Sequence, residues 1–245
     1  MFLRNFTGYK RRLGGLILGG LFCFTIGLGS AQADEIVIIS SEKANYQVGE
    51  TLTNSTLLNL KAGAKLTLLT LDGKLHKLAG PFKGTLPKPQ KGTLKPKALV
   101  VLSALLKDNR KSDLSLGTVR SSGKAVKVPN PWAVNISEPG HGCIKPDRAT
   151  LWRTRNIDQD AKVTLSAQTS AQKAVVQWVA GYELLNVPGQ LFKSDKTYTV
   201  DLDGHSVELR VHVMPSEIKT NVEQAVWMAN AGCKPQALAL LAELQ

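Results

Sequence analysis

Thr197-Tyr198-Thr199-Val200-Asp201-Leu202-Asp203-Gly204-His205-Ser206-Val207-Glu208-Leu209-Arg210-Val211-His212-Val213 is the stretch that decides the fold. Asp-Gly tolerates the left-handed backbone of a two-residue hairpin turn, and here Asp203-Gly204 stands between two runs of strand-forming residues. Val207, Leu209, Val211 and Val213 fall on one face of the second run. Further strands are expected at 149–154, 161–167 and 174–180, so residues 147–214 read as a β-sandwich-like domain.

Moving outward toward the C-terminus, the apolar period changes from two to that of a helix. Ser216 is the expected N-cap of a helix that carries Val222, Ala225, Val226 and Ala229 on one side. Gly232 supplies a left-handed C-cap, and Pro235 suits the first turn of a final helix bearing Leu238, Leu241 and Leu244. Residues 215–245 therefore read as a helical hairpin with Cys233 at its corner.

Toward the N-terminus, a second Asp-Gly step, Asp72-Gly73, separates Leu66, Leu68 and Leu71 from Leu75 and Leu78. With a strand-turn piece at 46–52 and a tight turn at Gly63-Ala64, residues 34–82 read as a small β module. Residues 83–97 then interleave Lys83, Lys88, Lys91, Lys95 and Lys97 with Pro87, Pro89 and Pro96, the composition of an extended linker. An apolar run at 98–107 reads as a short helix, and a connector rich in proline and glycine completes 98–146. The expected fold class is mainly β with a C-terminal helical hairpin: an N-terminal small β module plus a β-sandwich-like domain.

Residues 1–33 have the layout of a secretory leader. Arg4, Lys10, Arg11 and Arg12 precede an apolar run, and Ser30-Ala31-Gln32-Ala33 supplies small residues for cleavage between Ala33 and Asp34. The expected location is the periplasm; an uncleaved N-terminal helix serving as an anchor is the alternative. The net charge of +12 becomes +8 once the four basic residues of the leader are removed. A basic exported chain suits anionic cell-wall or lipid surfaces. Nucleic acid is not an expected partner, because no basic motif is interleaved with stacking aromatics.

Removal of Cys23 with the leader leaves Cys143 and Cys233, an even pair in an oxidising compartment and a candidate disulfide. A competing chemistry exists for one of them. Gly140-His141-Gly142-Cys143-Ile144-Lys145 resembles the nucleophile motif of the L,D-transpeptidases, periplasmic enzymes that cross-link peptidoglycan. That resemblance implies a Cys143 thiolate activated by a nearby imidazole. No metal site or cofactor is expected, because His76, His141, His205 and His212 are scattered without ligand spacing. Asp158 with Asp160 and Asp201 with Asp203 sit in turn-like contexts, and Trp132, Trp152, Trp178 and Trp227 read as packing residues.

Residues 46–86 resemble the FecR-like periplasmic domain. The likeness rests on Val48-Gly49-Glu50-x-Leu52, Leu60-x-x-Gly63-Ala64-x-Leu66-Thr67-Leu68-Leu69, Asp72-Gly73-Lys74 and Leu78-x-Gly80-Pro81. It implies a module of short strands in a periplasmic signalling or regulatory protein. Leu151-Trp152-Arg153 and Trp227-Met228-Ala229-x-x-Gly232-Cys233-x-x-Gln236-Ala237 are similar to segments of exported Gram-negative proteins. The expected function is a non-enzymatic interaction or sensory accessory, partnering an envelope or membrane signalling protein. The alternatives are the Cys143 transpeptidase and a structural envelope protein that holds anionic polymer.

Overall fold

The computed structural model describes residues 35–245 apart from 89, 91–93, 113, 122–123 and 169–172. The expected leader, its cleavage point between Ala33 and Asp34, and Cys23 lie outside the described residues. In chain order the first elements are β1 (Glu35–Glu42), β2 (Thr51–Thr53), β3 (Leu58–Leu60), β4 (Lys65–Thr70), β5 (Leu75–Ala79), β6 (Phe82–Gly84) and helix α1 (Pro96–Lys111). Next come β7 (Thr118–Ser121), β8 (Lys124–Lys127), β9 (Ala133–Asn135), β10 (Gly140–Ile144) and β11 (Arg148–Trp152). They are followed by β12 (Ala161–Ala167), β13 (Lys173–Trp178), β14 (Leu184–Pro188), β15 (Lys196–Leu202) and β16 (His205–Val213). Helices α2 (Asn221–Asn230) and α3 (Lys234–Glu243) close the chain. The fold is mainly β, with the two C-terminal helices packed on each other.

Both Asp-Gly steps form hairpins, β4–β5 and β15–β16, and Asp203 and Gly204 both take positive φ as the tight turn requires. The second turn is braced by Asp201, whose carboxylate accepts from the Ser206 hydroxyl at 2.6 Å and the Gly204 N–H at 3.1 Å. The Ser206 hydroxyl, more than the Gly204 amide, holds the Asp201 carboxyl below its ordinary value.

Five strands in the order β10-β16-β15-β12-β13 form the largest sheet, and β14-β11-β9 form a second sheet of three. Their apolar faces share one core. Val163, Leu165, Val200, Val207, Leu209 and Val211 of the first sheet pack with Val134, Ala149, Leu151 and Val187 of the second. The alternation along β16 does what its sequence dictates, placing its valines and leucine inward.

The N-terminal strands form a sheet ordered β2-β1-β4-β5, with β3 paired to β6 beside it. One side of β1 and β4 packs into a core with Leu58, Leu60 and Leu86. The other side, through Val37, Ile39 and Leu69, meets α1, α2 and α3. That same cluster includes Leu94, Leu99, Leu102, Leu106, Cys143 and Cys233, so one core draws on chain from both sides of residues 83–97.

Three local differences from expectation have physical reasons. Helix α2 is capped by Thr220 rather than Ser216: Thr220 Oγ1 accepts from the Glu223 N–H at 3.2 Å, and the Glu223 carboxylate accepts from the Thr220 N–H at 2.9 Å. This reciprocal pair satisfies two helix-end donors, which Ser216 has no matching acid to do. Helix α1 runs from Pro96 to Lys111, longer than 98–107. The connector holds four short strands, β7 to β10, because Pro129, Pro131, Pro139 and Pro146 all fall between strands rather than in them.

Candidate functional site

β10 is the meeting point of the site. It pairs in parallel with β16, placing His141 opposite Arg210 and Cys143 opposite His212. Residues two apart share a strand face, so His141, Cys143 and His212 emerge on the side away from the sandwich core. That side faces the corner between α2 and α3. There the Cys233 N–H bonds to the Met228 carbonyl at 2.8 Å and the Gly232 N–H to the Ala229 carbonyl at 3.2 Å, a Schellman ending. Gly232 has φ 85°, which favours glycine, and a Cβ on it would stand 3.0 Å from His141 Nδ1, so a side chain there would press on the imidazole.

Within this junction His141 Nδ1 and His212 Nε2 are 2.9 Å apart, and His212 Nδ1 is 2.7 Å from Asp195 Oδ1. The imidazole rings are parallel within 1°, with centroids 5.2 Å apart, so the bonding nitrogens lie on the line between the ring centres. The direction of the chain follows from its end. A carboxylate only accepts, so His212 Nδ1 carries a proton, and the Nε2–Nδ1 contact to His141 is the second bond of the same chain. Among the described residues, His141 Nε2 has no hydrogen-bond partner. His212 is buried, whereas His141 and Asp195 are exposed. Asp195 is held in place by its own backbone, whose N–H donates to the Val211 carbonyl at 2.8 Å.

His141 opens onto a cavity of about 430 Å³ that Arg120, Asn135, Glu138, Trp152 and Lys234 also line. Two cations, one carboxylate and the imidazole give it a polar mouth, with Trp152 as an apolar wall. No serine, threonine or cysteine is among its described lining residues. No group of three or more histidine, cysteine, aspartate or glutamate residues among the described residues is placed to hold a metal. The collinear imidazole nitrogens describe a hydrogen bond rather than two lone pairs converging on an ion.

Cys143 and Cys233 form a disulfide with their Cα atoms 6.0 Å apart, and both residues are fully buried. It ties β10 to the first residue before α3. Gln236, in the first turn of α3, adds a polar clamp at the same place. Its Oε1 accepts from the Cys143 N–H at 2.8 Å, and its Nε2 donates to the Cys143 carbonyl at 2.9 Å and to the Pro131 carbonyl at 3.0 Å. Gln236 is buried, and these bonds account for the polar atoms of its amide.

The residues singled out from sequence thus divide. His141 is brought to His212, while His76 on β5 and His205 at the β15–β16 turn stand apart from them. Asp160 and Asp203 accept from the Ala180 and Lys162 N–H groups, fastening loops. Trp152 and Trp178 are buried, and the Trp178 indole donates to the Tyr182 carbonyl at 2.8 Å. Arg153, quoted only as part of a resemblance, is fully buried beneath Trp178 and donates to four carbonyls: those of Tyr182, Gln159, Ile157 and Val179. Asp195 was not singled out; its place after Ser194 and before a strand carried no signal beyond a turn.

The chain matches no protein-family model and no curated protein.

Proposed function

We propose that this chain is an exported, non-enzymatic interaction protein that serves as an accessory to an envelope signalling system. Its recognition site is the cavity at His141. The observation that carries this reading is the state of Cys143: its sulfur is bonded to Cys233 and buried, so no thiolate is presented to a substrate. The described lining of the His141 cavity also holds no hydroxyl or thiol side chain, so a covalent step on a side-chain nucleophile has no support there. Glu138, Arg120 and Lys234 at the mouth suit recognition of a polar or charged segment. The FecR-like likeness of 46–86 points to a signalling partner, and the leader-like 1–33 to the periplasm.

One observation favours a second reading. Asp195–His212–His141 is an arrangement that can accept a proton at His141 Nε2, which is what an acid–base catalyst needs. Incubation of the leader-free protein with peptidoglycan fragments separates the two. The interaction reading expects no turnover, together with a photo-cross-link from a probe at Glu138 to an envelope protein that His141→Ala abolishes. Turnover lost in His141→Ala, or restored by reducing the disulfide, would overturn it.

A further inference from the structure

A second hollow, of about 210 Å³, lies on the face of the three-stranded sheet away from the sandwich core and is lined by Asn130, Trp132, Lys145, Arg148, Thr150, Leu184 and Asn186. Arg148 and Thr150 alternate along β11 on the face opposite Ala149 and Leu151, which point into the sandwich core. Asn186 of β14 stands directly across from Thr150. The loop before β9 supplies Asn130 and Trp132, and it is pinned from beneath where Gln236 bonds to the Pro131 carbonyl.

The hydrogen-bonding state of each lining group gives the hollow its character. Asn130 Oδ1 accepts from the Trp132 backbone N–H at 2.9 Å, and since that N–H can only donate, the side-chain oxygen is fixed inward. The Asn130 amide NH2 is therefore left outward. Asn186 Oδ1 accepts from the Thr150 hydroxyl at 2.8 Å, which leaves its NH2 outward as well. The Lys145 ammonium rests over the Trp132 ring, 5.0 Å from its centroid. Neither Lys145 nor Arg148 has a carboxylate partner among the described residues, and no carboxylate lines the hollow. Two cations and the amide groups of Asn130 and Asn186 thus line one small space, and each amide oxygen already accepts one bond from within the protein.

We infer that this hollow is a binding site for a small oxyanion-bearing ligand, a carboxylate or a phosphate ester on a group no larger than about one sugar ring. An oxyanion presents several acceptor lone pairs and no donor, the complement of this lining, and a planar or tetrahedral anion can bridge Arg148 and Lys145 while receiving the amide hydrogens. The volume is below the range of drug-sized pockets, which limits the ligand to a compact group. This site is separate from the His141 cavity in its lining residues and stands whether or not that cavity recognises a partner.

The test is titration of the leader-free protein with glucuronate, glucose 6-phosphate and glucose, followed by calorimetry and by tryptophan fluorescence, with Trp132→Phe identifying the fluorescence change that belongs to this site. Saturable binding of the two anions, with none of glucose, is expected. Arg148→Gln and Lys145→Gln should each weaken the anions about tenfold or more, the scale of losing a charge-assisted hydrogen bond. Lys61→Gln with Lys162→Gln, which removes two positive charges elsewhere, should leave the affinity within about twofold. Melting temperatures of all variants establish that they are folded. Absence of saturable anion binding, equal binding of glucose, or an equal loss in the Lys61/Lys162 variant would overturn the assignment. So would Arg148-dependent binding to phosphatidylglycerol vesicles without affinity for the soluble anions.

Discussion

Arg153 is the residue whose role is furthest from what its type suggests. A charged side chain with no exposure normally has a carboxylate partner, yet this one is held by four carbonyl oxygens and the face of Trp178. Its fork closes the loops that follow β11 and β13 onto one another. Arg153→Ala leaves those carbonyls without their donors and should destabilise the protein by at least about 3 kcal/mol, measured as a denaturant midpoint. Arg153→Lys should recover only part of the loss, because an ammonium cannot reproduce the planar fork. Equal stability of wild type and Arg153→Lys would contradict the geometric account. Little near Arg153 in sequence announces this role: all four acceptors are backbone carbonyls, and two of them, of Val179 and Tyr182, belong to a loop that only the strand pairing brings to it.

At the scale of elements, the start of α2 gives a pH signature. Folding lowers the Glu223 carboxyl below its ordinary value of 4.5, first through the Thr220 backbone N–H and then through the Thr220 hydroxyl. A group depressed on folding contributes its stability fully above the unfolded pKa and loses it as pH falls through the folded value. Acidification below about pH 4.5 should therefore loosen this helix end, and Thr220→Ala should raise the Glu223 pKa toward 4.5, read from its side-chain carbon shift by NMR. At neutral pH the same substitution should cost about 1 kcal/mol. The disulfide belongs to this scale too, since it joins β10 to the corner of the helical hairpin across 90 residues of sequence. Cys143→Ser and Cys233→Ser should each lower stability by about 4–5 kcal/mol in the chain-entropy view, and by nearly the same amount as one another. Unequal losses, or separate cysteine peptides in a non-reducing map, would contradict a shared bond.

Elements differ in how plainly the sequence announces them. The β15–β16 hairpin was readable because turn chemistry and alternation are both local: Asp203-Gly204 fixes the register that Val207, Leu209 and Val211 then satisfy. The helical hairpin was readable for the same reason, through Gly232 and Pro235. β10 was not, because among the described residues its one ladder partner is β16, and parallel pairing leaves no turn residue to mark it. The His141–His212 pair depends on that ladder and was hidden with it. For the cysteines, an even count, an oxidising compartment and the helix corner at Gly232-Cys233 made the bond an expectation.

The molecule as a whole is tied together at the helices. The core around α1, α2 and α3 receives Val37, Ile39 and Leu69 from the N-terminal sheet and Cys143 from the sandwich. Polar contacts repeat the pattern: Ser103 of α1 donates to the Gly49 carbonyl at 2.7 Å, and Lys77 of β5 donates to the carbonyl of Gln245. Gly49 lies so close to α1 that a Cβ there would stand 2.9 Å from the Lys107 backbone nitrogen. With the core shared in this way, residues 35–245 should melt as one unit. Scanning calorimetry is expected to give a single transition whose van't Hoff and calorimetric enthalpies agree. Two resolved transitions would show that the N-terminal strands hold a fold of their own.

The Gln236 clamp has one more consequence, for how the chain meets copies of itself. β10 ends its sheet, and an outermost strand with open peptide groups is a template on which a neighbouring molecule can add. A primary amide carries the same donor and acceptor as a peptide group, and Gln236 spends both on Cys143. To β10 it stands in for a strand one residue long, a cork in the position where polymer growth would begin.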